Sequence, residues 1–183
     1  VFRGASTGQG VTVDTNVRLK LASMDSKLLD VGITTWNLRP RMTPEGLDTI
    51  RLEDLDFVEY DEDELPVNAE FLTPKQQAGY RYIINAEGHV CAFRLSYELS
   101  SGSVVLLVES DYKLWFSHLL VPGVHYVPVK ADMSDLITQI EWCENHLDEA
   151  QQIANNAREF YKEHLTKEGV FDHLSSLMNQ MIP

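Results

Sequence analysis

The stretch Tyr80–Val108, with the sequence YRYIINAEGHVCAFRLSYELSSGSVVLLV, decides the fold class. Apolar runs typical of strands open and close it, at Tyr80–Asn85 and Val104–Val108, and the second run is continuously apolar, as in a strand covered on both faces. Between them, apolar residues recur at helical spacing, which predicts a helix over His89–Leu99. The order strand, helix, strand is typical of a parallel β–α–β unit.

The same alternation continues on both sides of this stretch. Further strands are predicted at Phe2–Arg3, Leu28–Ile33 and His125–Val129, and Pro128 is typical of a sheet edge or a strand end. The other predicted helices are Val13–Met24, Tyr112–Leu119, Ser134–Leu147, Asp148–Leu165 and Val170–Met181. We therefore expect one α/β domain over residues 1–183, with a Rossmann-like parallel sheet and helices on both faces. It would include an acidic, loop-rich insertion at about 37–72 and C-terminal helices at about 134–181.

Composition excludes several classes of partner and site. The formal net charge of -13 argues against nucleic acid or an anionic membrane surface as the main partner. No apolar run has the length needed to cross a bilayer. The two cysteines, Cys91 and Cys143, have no Cys-x-x-Cys spacing, so we expect free, buried thiols and no structural zinc site. The acidic run Tyr60–Glu64 is interpreted as a solvated loop rather than a metal site.

Ligands of open parallel sheets bind beyond the carboxyl ends of the strands, and three segments follow predicted strands: Arg3–Gly10, Asn85–Gly88 and Glu109–Asp111. Arg3–Gly10, with the sequence RGASTGQG, combines glycines and hydroxyls that suit close approach to a phosphate, although an ordinary flexible loop is an equal alternative. Glu109–Asp111 follows Val104–Val108, and its carboxylates could accept hydrogen bonds from sugar or ribose hydroxyls. The alternative for Asp111 is a helix N-cap.

Arg94 is the candidate diphosphate ligand. It follows the turn Asn85–Gly88 and would lie about one turn into the predicted helix, whose N-terminus faces the ligand edge. A guanidinium there could bind a diphosphate in bidentate fashion, with help from the helix dipole. A salt bridge to Glu98 is the equally weighted alternative.

The segment Tyr82–Leu95, YIINAEGHVCAFRL, resembles a signature of the protein O-glucosyltransferase and capsule-associated xylosyltransferase family, which includes lipopolysaccharide-modifying glycosyltransferases. Upstream, Phe2–Gly4 followed by Ser6 and Thr7 resembles the FRG loop of that family. Further similarities follow in consistent order, at Ser101–Leu106, Asp111–Tyr112, Phe116, Leu119 and Val124–Leu136.

The resemblance implies the C-terminal half of a GT-B glycosyltransferase, which transfers glucose or xylose from a UDP-sugar to a hydroxyl of a protein or glycan without a metal or other cofactor. In it, the FRG loop and Arg94 would contact the diphosphate, and Arg94 would stabilise the departing UDP. Phe93 and Ser101–Ser103 would line the donor pocket, and Glu109 would lie near the sugar or ribose. The implied donor-binding set is Arg3, Gly4, Ser6, Thr7, Gly88, Phe93, Arg94, Ser101, Gly102, Ser103 and Glu109.

The resemblance also places the catalytic base, a carboxylate, upstream of the FRG loop. We therefore expect a fragment that lacks this base and whose further partner is the N-terminal half of the same enzyme. A cytoplasmic location is expected, or the secretory lumen for a eukaryotic member. The alternative function is a non-catalytic Rossmann-like binding module related to glycosyltransferases. A dehydrogenase or methyltransferase is disfavoured, because no predicted strand is followed by Gly-x-Gly-x-x-Gly with an acidic residue about 20 positions on.

Overall fold

The structure is a computed structural model that describes residues 1–38, 41–42, 57–58, 61 and 65–181. Most of the expected insertion at about 37–72, with the acidic run Tyr60–Glu64 except Asp61, lies outside the described residues. In chain order the elements are β1 (Phe2–Ala5), α1 (Val17–Ala22), β2 (Val31–Thr35), β3 (Arg41–Met42), β4 (Phe57–Val58), α2 (Pro74–Gln77), β5 (Tyr82–Asn85), α3 (Leu95–Glu98), β6 (Val104–Val108), a 3₁₀ turn (Ser117–Leu119), β7 (Val127–Val129), α4 (Leu136–Asn145), α5 (Leu147–Phe160), a π-helical turn (Tyr161–Leu165) and α6 (Lys167–Met181).

The strands confirm the predicted parallel arrangement. β1 pairs with β2, and β5, β6 and β7 form a three-stranded sheet, all in parallel. Val1 joins the two sets, because its amino group donates to Tyr82 O at 2.7 Å and its carbonyl accepts from Ile84 N at 2.9 Å. The spatial order is therefore β2-β1-β5-β6-β7. Among the described strands β7 pairs only with β6, so Pro128 does lie at an edge. The short β3 and β4 form a separate antiparallel pair.

Both faces of the sheet are covered, as the continuous apolar run of β6 predicts. Leu106 belongs to a cluster on one face and Val105 to a cluster on the other, and both side chains are fully buried. The first cluster includes Phe2, Leu21, Val129, Leu136 and Ile153, from β1, α1, β7, α4 and α5. The second includes Leu95, Leu99, Phe116, Ala157 and Phe160. This is the α/β layering expected of a sheet whose strands are apolar on both sides.

The predicted helix over His89–Leu99 is wrong over most of its length. Only Leu95–Glu98 is helical; residues 88–90 form a bend, residues 91–92 have no regular structure and residues 93–94 form a turn. Side chains hold this segment in place: His89 Nδ1 donates to Gly8 O at 3.0 Å, and its Nε2 accepts from Asn37 Nδ2 at 3.2 Å. The backbone forms short-range bonds in place of the helical ones, such as Gly88 N to Val90 O and Leu95 N to Ala92 O, each at 3.1 Å.

Other element ends also differ from the prediction. The helix predicted over Tyr112–Leu119 is reduced to the 3₁₀ turn, and the helix predicted from Val13 begins only at Val17. Asn16 is the reason for the later start, because its side chain caps α1 by accepting from the amides of Arg18 and Leu19 at 3.0 and 3.3 Å. The predicted strand Leu28–Ile33 is shifted to Val31–Thr35. None of the helices in the described part of the chain has the length and hydropathy to span a bilayer.

Candidate functional site

The strand order reverses between β1 and β5. From β1 the chain proceeds to β2 on one side, and from β5 it proceeds to β6 and β7 on the other. In open parallel sheets, loops diverge at such a point and leave a crevice beyond the carboxyl ends of the strands. The loops that border it here are residues 6–10 after β1 and residues 86–88 after β5.

Two neighbouring cavities open at this edge. The apolar cavity, about 430 Å³, has Leu95, Leu107 and Leu120 among its walls, and Glu87 and Glu109 among its polar groups. The glycine-lined cavity, about 360 Å³, is bordered by Gly4, Ala5, Thr7, Arg18, Gly88 and Arg94 and by the segment between the last two. Cys91 and Ala92 line both cavities, so they form a shared wall. Both volumes lie in the range of small-molecule sites, roughly 300–1,000 Å³.

Two glycines allow the close packing around the glycine-lined cavity. A Cβ atom on Gly88 would lie 2.6 Å from Thr7 Oγ1 and 3.2 Å from Arg18 Nη2. A Cβ atom on Gly4 would lie 3.0 Å from the Phe2 ring. Any larger residue at Gly88 would therefore require the Thr7 side chain, or the loop that carries it, to move.

Arg94 lines the glycine-lined cavity. It forms the salt bridge to Glu98 that the sequence offered as the alternative to diphosphate binding. Its Nε is 3.0 Å from Glu98 Oε1, and its Nη1 donates to Arg3 O at 2.6 Å. The guanidinium carbon lies 4.6 Å from the centre of the Phe2 ring, within cation–π range. Its Nη2 is buried and has no hydrogen-bond partner among the described residues. Because Arg94 precedes α3, which has only four residues, the predicted assistance from a helix N-terminus is wrong.

Glu98 supplies a buried negative charge beneath this cavity. Its side chain is only 3% exposed, and its Oε2 accepts from Asn85 Nδ2 at 2.6 Å. Burial raises the pKa of Glu98, while the nearby charge of Arg94 opposes that rise. Arg94 is therefore the main group that favours the charged form of this carboxyl.

Arg3 points away from both cavities, contrary to the predicted diphosphate contact. Its guanidinium donates to Asp30 Oδ1 at 2.5 Å and to the carbonyls of Asp30 and Glu70, each at 3.0 Å. Tyr80 donates its hydroxyl to the same carboxylate. Burial raises the pKa of Asp30, but the hydrogen bonds from Tyr80 and Arg3 outweigh it, so the net shift is downward. Arg3 thus fixes the start of β2 to β1 and is not positioned for a ligand in the crevice.

The two hydroxyls of the loop after β1 also have protein partners. Ser6 is fully buried, and its Oγ accepts from Asn37 N at 2.8 Å. Thr7 Oγ1 accepts from Arg18 Nη1 at 2.6 Å and lies on the wall of the glycine-lined cavity. Of the pair, Thr7 is the one that a ligand in this cavity can reach.

The structure brings Phe93 and Glu109 to this edge but not Ser101–Ser103. Phe93 lines the glycine-lined cavity with a side chain that is 71% exposed, and Glu109 is an exposed residue of the apolar cavity. The turn Ser101–Ser103 precedes β6 and so lies at the opposite, amino end of the sheet. Its hydroxyls donate to backbone carbonyls there, Ser101 Oγ to Glu98 O and Ser103 Oγ to Tyr80 O. This placement disagrees with the donor-pocket assignment of all three residues, Gly102 included.

The loop after β6 contributes its own carboxylates. Ser110 Oγ donates to the carboxylate of Glu87 and accepts from Tyr112 N at 3.0 Å. No helix begins at Tyr112, so the predicted N-cap role of Asp111 is wrong. Burial raises the pKa of Glu87, and the charge of Asp111 adds to the rise. Glu87 and Glu109 place two acidic groups at the apolar cavity.

Two functional candidates were missed in the sequence, Asn16 and Arg18. Arg18 is 8% exposed, and its guanidinium contacts both loops of the crevice. The sequence does contain a signal that Arg18 is buried. Arg18 lies three positions before Leu21, so it shares a helix face with a residue that the helical pattern predicts to be buried. A cation on a buried face needs nearby acceptors, and the carboxyl ends of β1 and β5 supply them.

Residues 38–181 match the sequence profile of glycosyl transferase family 90. The chain belongs to this family. The match includes the shared wall of the two cavities and Arg94, whereas the loop after β1 lies upstream of it. The resemblance to protein O-glucosyltransferases is thereby confirmed.

Relatives of this family 90 chain include viral, animal and bacterial proteins. Protein 179R of Invertebrate iridescent virus 6 is 44% identical, and the alignment covers 97% of this chain and 16% of that protein. Protein O-glucosyltransferase 2 of Danio rerio is 40% identical over 55% of this chain and 20% of that protein. O-glucosyltransferase LpsA of Dichelobacter nodosus is 35% identical over 52% of this chain and 30% of that protein. The chain therefore spans less than a third of the length of each of these relatives.

Among the described residues of this family 90 chain, no group of three His, Cys, Asp or Glu side chains converges as metal ligands. Cys91 and Cys143 are free thiols, and Cys143 is buried as predicted. Cys91, which was predicted to be buried, is only half-buried and lies in the segment that does not form the predicted helix.

Proposed function

We propose that this chain supplies the UDP-sugar-binding part of a GT-B glycosyltransferase that moves a hexose or pentose, such as glucose or xylose, to a hydroxyl of a protein or glycan. Membership of family 90 supports glycosyl transfer, and the names of the relatives in Danio rerio and Dichelobacter nodosus support a glucosyl donor. The observation that carries the proposal is the pair of cavities with a shared wall at the strand-order reversal. One is apolar with acidic groups, and the other is bordered by glycines and guanidinium groups.

The charges beside the glycine-lined cavity favour an anion. Arg18 and Arg94 both line this cavity, whereas the carboxylates that act on them, those of Glu98 and Glu87, belong to residues that do not line it. The two guanidinium groups lie in a partly desolvated place, where Coulomb interactions are stronger than in bulk water. A diphosphate in this cavity would be attracted even though the whole chain carries a net charge of -13.

The neighbouring apolar cavity suits a nucleoside. A base would pack between leucine side chains, and ribose hydroxyls would donate to Glu87 or Glu109. In this arrangement the positive charge of Arg94 would stabilise the negative charge that develops on the departing UDP. The proposal requires no metal ion or other cofactor, because the guanidinium groups supply the positive charge. It assigns no acceptor-activating base to the described residues.

Calorimetry with UDP tests the proposal on the wild-type chain and on Ala92→Trp, which would place an indole at the shared wall. The matched control is Ala78→Trp, which lies just after α2, before the start of β5. We expect UDP binding by the wild type and by Ala78→Trp, and none by Ala92→Trp. Failure of the wild type to bind UDP, or equal binding by Ala92→Trp, would contradict the proposal.

A thermal-shift panel separates the rival classes. UDP should raise the unfolding midpoint, because a ligand that binds the folded state stabilises it by mass action, whereas NAD and S-adenosylmethionine should not. A larger shift with either of these would favour the dehydrogenase or methyltransferase alternative. Binding of UDP without any sugar transfer by a full-length protein would favour the non-catalytic module.

A further inference from the structure

We infer that Arg18 is a positioning residue that holds the two walls of the glycine-lined cavity at the spacing required by a diphosphate, an inference that rests on the proposed function. Its guanidinium makes hydrogen bonds to both walls. On the side of β1, Nη1 donates to Thr7 Oγ1 at 2.6 Å and to Ala5 O at 3.2 Å. On the side of β5, Nε donates to Glu87 O at 2.7 Å and Nη2 donates to Ala86 O at 3.1 Å.

These acceptors lie where β1 and β5 part. Ala5 is the last residue of β1, and Ala86 follows the last residue of β5. The backbone carbonyls beyond a strand end lose their ladder partners and must find others. Arg18 satisfies three of them with one rigid, planar group, so the distance between the loops is set by the width of a guanidinium.

Asn16 holds the same loop from the other side. Its Nδ2 donates to Ser6 O at 3.0 Å and to Gly10 O at 2.9 Å, while its Oδ1 caps α1. The loop after β1 is therefore tied to the start of α1 at both of its ends, and Arg18 ties Thr7 of this loop to the opposite wall. Together the two side chains make the crevice a preformed site rather than a flexible loop.

The contact between Thr7 and Gly88 restricts the distance between the loops that follow β1 and β5. Thr7 Oγ1 lies at the position where a side chain on Gly88 would have to go, and Arg18 Nη2 would be 3.2 Å from the same Cβ atom. A side chain on Gly88 would therefore displace Thr7 Oγ1, which is an acceptor of Arg18. A small error in phosphate placement has a large effect on ligands that need several simultaneous contacts.

The environment of the guanidinium supports this role. Burial and the neighbouring charge of Arg94 lower the pKa of Arg18 to about 10, so the group remains charged at neutral pH. Because its hydrogen bonds go to protein acceptors, we assign Arg18 to positioning and not to direct phosphate binding. Lysine would keep the charge but could not reach acceptors on both loops with one compact ammonium group.

The test compares Arg18→Lys with wild type by calorimetry with uridine, UMP, UDP and inorganic pyrophosphate. The matched control is Arg81→Lys, at an exposed ion pair with Glu144 next to the start of β5. We expect Arg18→Lys to weaken UDP and pyrophosphate binding by about tenfold, or about 1.4 kcal/mol, and to leave uridine within about twofold. The control should leave the affinities for all four ligands unchanged. Thr7→Val, which removes one acceptor of Arg18 but no charge, should show the same selective loss and serves if Arg18→Lys does not fold.

The outcomes separate the inference from the proposed function. Equal weakening of uridine and UDP would mean a general loosening of the fold and would overturn the inference, as would unchanged pyrophosphate affinity in both variants. If wild type binds pyrophosphate but neither uridine nor UDP, the proposed function fails, and the pyrophosphate comparison still decides the role of Arg18. If wild type binds no pyrophosphate either, both are overturned.

Discussion

Replacing Arg94 by Met should destabilise the fold far more than the loss of a surface ion pair. The change removes the cation beside Glu98, whose side chain is 3% exposed and would keep only the amide of Asn85 as a partner. Breaking a buried pair by removing one partner costs about 3–5 kcal/mol. Because Arg94 itself is 15% exposed, we expect the lower end, about 3 kcal/mol. For a chain of this size that corresponds to a fall in Tm of about 6–12 °C.

The loss should depend on pH, with a sign that follows from the raised pKa of Glu98. An acid whose pKa is higher in the folded state than in the unfolded state destabilises the fold at high pH. The destabilisation disappears as pH falls through the folded pKa toward the unfolded one. Removing Arg94 raises the pKa of Glu98 further, so the variant should lose most stability near pH 8 and less near pH 5.

Chemical denaturation at both pH values measures this effect on wild type, Arg94→Met, Glu98→Gln and the double variant. Once Gln replaces Glu98, the loss of Arg94 should cost less, which gives a coupling free energy of about 2 kcal/mol at pH 8. Arg81→Met, at the exposed pair with Glu144, is the control and should cost less than about 1 kcal/mol. Additive effects together with a loss that is the same at pH 5 and pH 8 would refute the reasoning.

Three further predictions test other contacts. Gly88→Ala should weaken pyrophosphate binding by about tenfold, because its Cβ would lie 2.6 Å from Thr7 Oγ1; unchanged affinity in calorimetry would argue against a rigid crevice. Cys91 should react with iodoacetamide in the native state and be protected by UDP, whereas Cys143, whose pKa burial raises to about 11, should stay unmodified by mass spectrometry. Asp30→Asn should cost about 1 kcal/mol at pH 7. Because the folded pKa of Asp30 is lowered, that difference should vanish in thermal melts as pH falls through it, and a pH-independent cost would contradict the assignment.

Strands were the most predictable part of the fold. β5 and β6 begin and end within two residues of their predicted bounds, and β6 has the continuous apolar run that burial on both faces requires. The helix over His89–Leu99 failed for a reason outside the local sequence. His89 bonds to Gly8 and Asn37, which are distant in sequence, and these contacts outweigh the apolar periodicity.

The sequence predicted which segments form the site better than it predicted which of their side chains face it. The loops after β1 and β5 do meet, because the carboxyl ends of parallel strands share one edge of the sheet. The role of Arg3 was predicted wrongly because alternation along a strand directs neighbouring side chains to different partners. The sequence does not show that Asp30, just before β2, is the partner of Arg3. Ser101–Ser103 precedes a strand instead of following one, and that order alone places it at the amino edge.

Cys91 and Ala92 separate the two cavities as a single layer of residues, in a segment that no regular helix or strand supports. A group bound on one side of this layer restricts the motion of the layer, and a group on the other side then meets a boundary that is already ordered. The binding free energies of a nucleoside and of pyrophosphate, measured separately, should therefore not sum to that of the joined molecule. Each fragment would raise the affinity for the other by the same factor, since such linkage is reciprocal.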